Sequence, residues 1–600
     1  MIQKSQKPAQ QNKEHIAVVM LTILILCVAL AVRLHHLDYE SLFMDEIRQI
    51  SYYSHSLRQI IYDAASQSQP PLDYWIGSLV SRLSFSDFAV RLPAVFFGVG
   101  TVLLLILLTS RICSYYTALV TGLIAALLPF NLYFSQDARP YSIAIFFMLA
   151  VLWSLDRFLE NKVFSISRLL LLVLFATAFL YSRTLSPLVV TVTLLFILLL
   201  HTGIRAVQEG FTTNEKQGRI LIACGAFIVA FMIYFPILKI ILTMSGKYID
   251  NSSFHFSITS IFQGIRKFSL LPIWQAAVVQ TEPLTVPIMV LIILSPYFVW
   301  KSSLWRRSPL WINVAILLVC ASFLNIFVFQ IKSNMPFRPP YAIYMLPLAL
   351  ILAASGFDSI FEIMKKYLAP RITCYIGFIV GIVFIIIAAH SALAFKSFRK
   401  KPDWRGLVDY LIDTYDTRQI LLFDSLSPYG KWEPKFYGSP RYLKKELSLI
   451  RVDQLPFYLP RIVKLPHEPI FIMFQWRKYF LTPYSKYPIF PLPSPDMKPV
   501  DYSKIGLDPL LKVKEIIGFS IIRLKESTSS LGKDTYRLIR RLLVHLPKDS
   551  SLVELHLAAA GLAKSLGLST WQEHLLSAIA LAPEENIAEV KAISAHIASH

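Results

Sequence analysis

Four short stretches gather acids, arginines, aromatic residues and prolines in differing combinations: "FMDE" (43–46), "SQPPLDYW" (68–75), "YFSQDARPYSI" (133–143) and "PFRPPYAIYMLP" (336–347). Asp45 and Glu46 are adjacent carboxylates. A carboxylate within hydrogen-bond reach of a hydroxyl accepts its proton as the oxygen attacks, a role worth about 10²–10⁴ in rate. Arg58, Arg139 and Arg338 offer fixed positive charge, which stabilises a leaving group that gains negative charge in the transition state. No GxGxxG or GxxxxGK[ST] stretch occurs, so nothing marks a nucleotide-binding loop. The five cysteines are scattered without CxxC spacing, and no run of ligand residues demands a metal.

These residues sit in a chain built for a bilayer. Of 600 residues, 55% are hydrophobic and 16% charged, with a mean hydropathy of +0.53, outside the range of soluble domains. The net charge of +21 suggests nucleic acid at first sight, yet no nucleic-acid motif accompanies it and much of it lies in short loops between apolar runs. Orientation in the membrane and contact with anionic lipid account for that pattern. Apolar runs near 16–34, 91–109, 115–134, 141–158, 168–182, 186–201, 219–243, 284–300, 310–331, 341–358 and 372–395 predict about eleven spans. The first reads as a retained signal anchor behind Lys4, Lys7 and Lys13.

The segment 70–83 is apolar but too short to span, and its placement decides the topology. With it lying in the interface, the basic loops around Arg111, Arg157, Arg205, Arg306 and Lys365 share the side of the N-terminus, as the positive-inside tendency prefers. All four polar stretches then fall on the opposite face. Beyond 397 the composition turns charged and proline-rich, with β-like runs "QILLFD", "EPIFIMFQW" and "GFSIIRL" predicting a small α/β domain over 398–527. Residues 528–600 read as helical, either one tetratricopeptide-like pair or a plain helical hairpin.

The order and spacing of the four stretches resemble those of the GT-C glycosyltransferases, in particular the group containing the protein O-mannosyltransferases and the aminoarabinose transferases that act on lipid A. The resemblance covers the membrane part, about residues 10–397. It implies a GT-C fold and inverting transfer of a sugar from a polyprenyl-phosphate carrier to a lipid-linked glycan, lipopolysaccharide or protein. The expected location is a bacterial inner membrane, with the N-terminus cytoplasmic and the site and C-terminal domain periplasmic.

By the same resemblance Asp45 takes the place of the catalytic base. Glu46, Arg58, Gln69, Tyr74, Asp137, Arg139, Tyr141, Arg338 and Tyr341 become candidates for binding donor or acceptor. Relatives often carry Lys before the paired prolines to meet the carrier phosphate, where this chain has Gln69. Some relatives use a divalent metal, and that question stays open here.

Each residue also has a plainer reading. Asp45 and Glu46 are then loop acids, Asp137 and Arg139 a pair at a helix end, Arg338 a contact to lipid phosphate. The tyrosines and Trp75 then form an interfacial aromatic belt. A transporter or a non-catalytic envelope scaffold is the competing class. Against it, the polar features gather at one interface rather than at the midplane.

Overall fold

The computed structural model describes residues 8–160, 164–209, 215–246, 282–302, 310, 314–317, 344–396, 403–414, 421–423, 449–451, 470–474, 512–516, 519–523, 536, 540, 543, 553–582 and 587–599. The chain divides into two compact units. Unit 1 comprises 1–38 and 49–398, and unit 2 comprises 39–48 and 399–600.

Unit 1 is a helical bundle. Among the described residues six helices are long and apolar enough to cross a membrane: Glu14–Leu34, Asp87–Ile112, Tyr141–Glu160, Gln217–Met244, Met345–Met364 and Pro370–Leu393. Shorter apolar helices occupy Tyr115–Leu127, Ile166–Ser182, Ser186–Leu200 and Val290–Ser302. Most of the run 310–331 lies outside the described residues.

In chain order the first elements are α1 (Pro8–Leu34), α2 (Met44–Ile50), α3 (Leu57–Ser66), α4 (Leu72–Leu83), α5 (Asp87–Ile112), α6 (Tyr115–Leu127), α7 (Pro129–Phe134), α8 (Tyr141–Glu160), α9 (Ile166–Ser182), α10 (Leu185–Glu209) and α11 (Glu215–Gly246). The segment 70–83 becomes α4, 12 residues and about 18 Å long, shorter than a span.

The run 115–134 is not one helix. Leu128 is extended because it precedes Pro129, and the chain restarts as α7 with the proline at its first position. The helix starts are written locally. Ser56, Ser86 and Ser114 cap α3, α5 and α6, each accepting a backbone N–H three residues on.

Small residues bring the helices together. A β-carbon on Gly122 would lie 2.3 Å from Ile106, and one on Gly77 would lie 2.2 Å from the ring of Tyr53. Two arginines are fully buried and answer backbone carbonyls at helix ends. Arg33 donates to the carbonyls of Ala29 (3.0 Å) and Ala126 (3.1 Å), and Arg91 donates to that of Leu37 (2.9 Å). They tie α1, α5 and α6 together at the end of the bundle where α8 begins. At the other end Arg111 pairs with Asp156 (3.0 Å) and Glu160, linking α5 to α8. There Asp358 accepts from the Ser114 N–H (3.1 Å) and from the hydroxyls of Ser114 and Thr117 (2.7 Å each).

Unit 2 includes a five-stranded sheet of order β2-β1-β3-β5-β4, with β1 (Leu421–Phe423), β2 (Leu449–Arg451), β3 (Ile470–Phe474), β4 (Lys512–Ile516) and β5 (Phe519–Arg523). The first three pair in parallel, while β5 runs antiparallel to β3 and β4. The apolar runs around 421, 470 and 519 supply its centre. The helix Trp404–Thr414 buries Trp404, Leu407, Val408 and Leu411, one face at helical spacing.

Residues 39–48 join this unit through Ser41. Its hydroxyl donates to Asp403 (3.3 Å) and accepts the Arg405 N–H (3.1 Å), while Asp403 also caps the helix through the Gly406 N–H (3.1 Å). Among the described residues of the tail, the helices Val553–Ser565, Trp571–Leu581 and Ile587–Ser599 pack around Val553, Leu557, Ala560, Leu575, Ala578 and Val590. The first ends in a Schellman turn at Gly567 (φ 71°), with N–H donation from Gly567 to Lys564 and from Leu568 to Ala563.

Asp358 answers three donors at the start of α6, so Asp358→Ala is expected to destabilise the bundle by about 1–3 kcal/mol. A lowered midpoint of thermal unfolding in detergent checks this, and an unchanged midpoint contradicts it.

Candidate functional site

The acid pair opens α2, and the two carboxylates have different surroundings. Glu46 is fully buried and its Oε2 accepts the Phe43 N–H at 2.9 Å. That is the back-bond of a capping box, which satisfies a donor the helix start would otherwise leave open. Asp45 is half-buried in the same first turn, where the helix dipole favours negative charge. One turn further along α2 stands Gln49, the first residue of the chain's return to unit 1.

Gln49 is buried and is the hub of a polar cluster in unit 1. Its Nε2 donates to the Asp73 carboxylate and to the Tyr53 hydroxyl (2.9 Å), while its Oε1 accepts from Arg139 Nη1 (3.3 Å). Asp73 stands in the first turn of α4, directly after the two prolines that stiffen the approach to the helix. Burial raises its carboxyl to about 6, against the lowering influence of the Gln49 hydrogen bond and the Arg139 charge. Burial also pushes the Tyr53 phenol well above its usual range, with Asp73 adding to the rise. This phenol stays protonated. Tyr74 is 1% exposed and packs near Tyr52, and the Trp75 indole donates to the Leu57 carbonyl at 3.0 Å.

The "QDARPY" turn lies against the same end. Gln136 Nε2 donates to the carbonyls of Arg33 (2.6 Å) and His35 (3.3 Å), pinning the turn to the end of α1. Within it the Arg139 N–H donates to the Asp137 carbonyl (2.7 Å) and the Tyr141 N–H to that of Arg139 (2.8 Å). Asp137 is buried and Arg139 half-buried. The tight turn thereby aims Arg139 at Gln49. The ring of Tyr141 is covered by a further arginine, Arg183, whose guanidinium lies 4.7 Å from the ring centroid. The hydroxyl of Thr184 donates to the Ser68 carbonyl, joining the turn between α9 and α10 to the "SQPP" loop.

The candidates read from sequence therefore separate. Gln69, Tyr74, Asp137, Arg139 and Tyr141 belong to turns that meet at one end of unit 1. Arg58 is exposed on α3. Asp45 and Glu46 lie in the segment that belongs to unit 2. Arg338 and Tyr341 lie outside the described residues.

Three residues that the sequence reading did not single out are Gln49, Asp73 and Arg183. Signals for them existed. Asp73 is an acid inside "PPLDYW", Gln49 follows Asp45 at helical spacing, and Arg183 is a lone cation between apolar runs. Among the described residues no three His, Cys, Asp or Glu side chains gather as a metal site.

Residues 68–234 match the family model for dolichyl-phosphate-mannose-protein mannosyltransferase. The likeness to the protein mannosyltransferases thus covers a continuous segment of the chain. That segment contains Asp73, Asp137, Arg139, Tyr141 and Arg183, and it begins after Asp45. No curated protein matches.

Among solved structures, the chain is similar to ArnT from Cupriavidus metallidurans in the apo state, with 12% identity over 84% of this chain and 98% of that one, at a TM-score of 0.48. It is similar also to the Archaeoglobus fulgidus oligosaccharyltransferase complexed with Zn and sulfate, with 13% identity over 69% of this chain and 61% of that one, at a TM-score of 0.45. A third similar structure is the S. cerevisiae protein O-mannosyltransferase Pmt1-Pmt2 complex bound to the sugar donor, with 15% identity over 38% and 34% of the two chains, at a TM-score of 0.32.

The raised Asp73 carboxyl carries a sign. The folded state holds its proton more tightly than the unfolded chain, so its contribution is fully present below pH 4 and is lost as pH rises through about 6. The loss is on the order of 3 kcal/mol. Asp73→Asn is expected to remove this pH dependence, so that unfolding midpoints at pH 4.5 and 7 converge relative to wild type. An unaltered gap between the two midpoints contradicts the assignment.

Proposed function

We propose that this chain is an integral membrane glycosyltransferase of the GT-C type, moving a sugar with inversion from a polyprenyl-phosphate carrier to an acceptor on the extracytoplasmic face. A bacterial inner membrane is the setting, and a lipid-linked glycan, lipopolysaccharide or protein is the acceptor. One observation carries the reading: the "SQPPLDYW" and "QDARPY" turns, both inside the mannosyltransferase-like segment, share the Gln49–Asp73–Arg139 cluster.

The chemistry assigned to these groups is simple. A hydroxyl attacks the anomeric carbon from the face opposite the phosphate, and Asp45 accepts its proton as the new bond forms. The bond from the anomeric carbon to the phosphate oxygen breaks with both electrons going to the phosphate. Positive charge held at fixed distance stabilises that developing charge more than the ground state, and Arg139 is aimed by its bond to Gln49. A donor whose long apolar tail stays among membrane helices needs no nucleotide loop. Glu46 serves the site by fixing the start of α2.

Asp45→Asn is expected to leave the protein folded and inserted while lowering kcat by at least about 10². The assay uses purified protein with a polyprenyl-phosphate sugar and a lipid-linked glycan acceptor. Full activity in a correctly folded variant removes Asp45 from the mechanism.

A further inference from the structure

The tail of unit 2 brings two histidines from different helices together, nitrogen to nitrogen. His556 stands on the helix Val553–Ser565 and His574 on Trp571–Leu581, which pack through Leu557, Ala560, Leu575 and Ala578. Their Nδ1 atoms lie 3.2 Å apart, with the ring planes inclined at 45°. Both residues are half-exposed, within reach of water and small ions.

Two arrangements meet this geometry. One is an N–H···N hydrogen bond, with one Nδ1 protonated and the other accepting. The other is a pair of nitrogens on one tetrahedral ion, where bonds of about 2.0–2.1 Å put them about 3.3–3.4 Å apart. Imidazole is the commonest ligand for such ions, and packed helices hold them between facing side chains.

The far side of His574 suits a ligand. A ligating histidine keeps its proton on the other ring nitrogen and needs an acceptor there. His574 Nε2 lies 3.2 Å from the Tyr536 hydroxyl, which in turn lies 2.6 Å from the hydroxyl of Thr570. With Nε2–H donating to Tyr536 and Tyr536 donating to Thr570, both protons have acceptors and the Nδ1 lone pair points at His556. Burial and the Arg540 charge lower the proton affinity of His574, against the opposing influence of Glu573, which keeps the ring neutral as a ligand must be. Among the described residues no third His, Cys, Asp or Glu joins the pair, so water completes the coordination.

We propose that His556 and His574 bind a divalent transition-metal ion of the zinc class through their Nδ1 atoms, clamping the two helices, with Tyr536 as the residue that positions His574. The ion exchanges two bound waters for the two nitrogens. The proton that joined the rings moves to the Nε2 of the ring that carried it.

The test uses the full chain without a histidine tag, in detergent, titrated with Zn²⁺ alone and followed by calorimetry. Wild type is expected to take up zinc at this pair and to unfold at a higher midpoint when zinc is present, since binding favours the folded state. His556→Ala and His574→Ala are each expected to weaken that binding at least about tenfold and to lose the rise in midpoint. Tyr536→Phe keeps the ring and removes the acceptor, and is expected to lose roughly tenfold. Mg²⁺, which prefers oxygen ligands, is expected not to compete. The variant His35→Asn/His36→Asn, altering an exposed stacked pair in unit 1, is expected to bind as wild type does.

A wild type that binds no zinc overturns the proposal, as does wild-type affinity in either single alanine variant. Loss in the His35/His36 variant equal to that in the tail variants assigns the binding to exposed histidines at large and also overturns it. Competition by Mg²⁺ does the same. Unchanged affinity in Tyr536→Phe removes the positioning role of Tyr536. If an alanine variant does not fold, His556→Gln and Tyr536→Phe decide, and unchanged affinity in both counts against the site. None of these outcomes bears on sugar transfer, which involves neither histidine.

Discussion

The buried carboxamide of Gln49 is the contact on which the polar end of the bundle depends. One amide donates to Asp73 and Tyr53 and accepts from Arg139, so it joins an acid on α4 to a base in the turn before α8. An amide suits this place because it donates and accepts while carrying no charge to be desolvated. Without it, the buried Asp73 carboxyl loses a donor and Arg139 loses an acceptor, which is costly. The cluster therefore couples the two turns, each of which has its own anchor elsewhere.

Those anchors follow from the limits of membrane structure. Polar backbone groups at helix ends need partners when little water reaches them. In this bundle arginine and glutamine side chains supply them: Arg33, Arg91 and Gln136 all donate to carbonyls at or just beyond the end of α1. Small residues allow the approach that makes such reaches short. Gly98 has no side chain because a β-carbon there would lie 2.4 Å from Ser135 and 3.0 Å from Arg33 Nε. Packing and polar satisfaction are thus one constraint, and the turn carrying Asp137 to Tyr141 is held by both.

The acid pair illustrates how neighbouring residues part company. Glu46 and Asp45 are one residue apart and differ by a single methylene, yet Glu46 bends back to cap α2 and is fully buried while Asp45 remains half-buried. The segment that carries them is bonded through Ser41 to Asp403 and Arg405, some 360 residues along the chain. Long-range hydrogen bonds of this kind fix the segment that leads into α2 more firmly than its own turns could.

Much of this was legible in the sequence. Apolar runs located the long apolar helices, and the short apolar length of 70–83 matches the 12 residues of α4. The break at Pro129 was also written there, although the hydropathy of 115–134 hid it. These are local matters, set by residue type and spacing of nearest neighbours along the chain. The motifs with prolines and aromatics were likewise visible, because rigid turns need distinctive residues.

Which of those motif residues meet was decided by tertiary structure alone. Gln49, Asp73 and Arg183 look ordinary in the sequence, since an amide, an acid and an arginine acquire special surroundings only when distant segments bury them together. The raised carboxyl of Asp73 and the stacking of Arg183 on Tyr141 are consequences of that burial. Composition and periodicity determined a membrane bundle with polar turns. The packing of its helix ends decided which charges were removed from water, and so which of them can do chemistry.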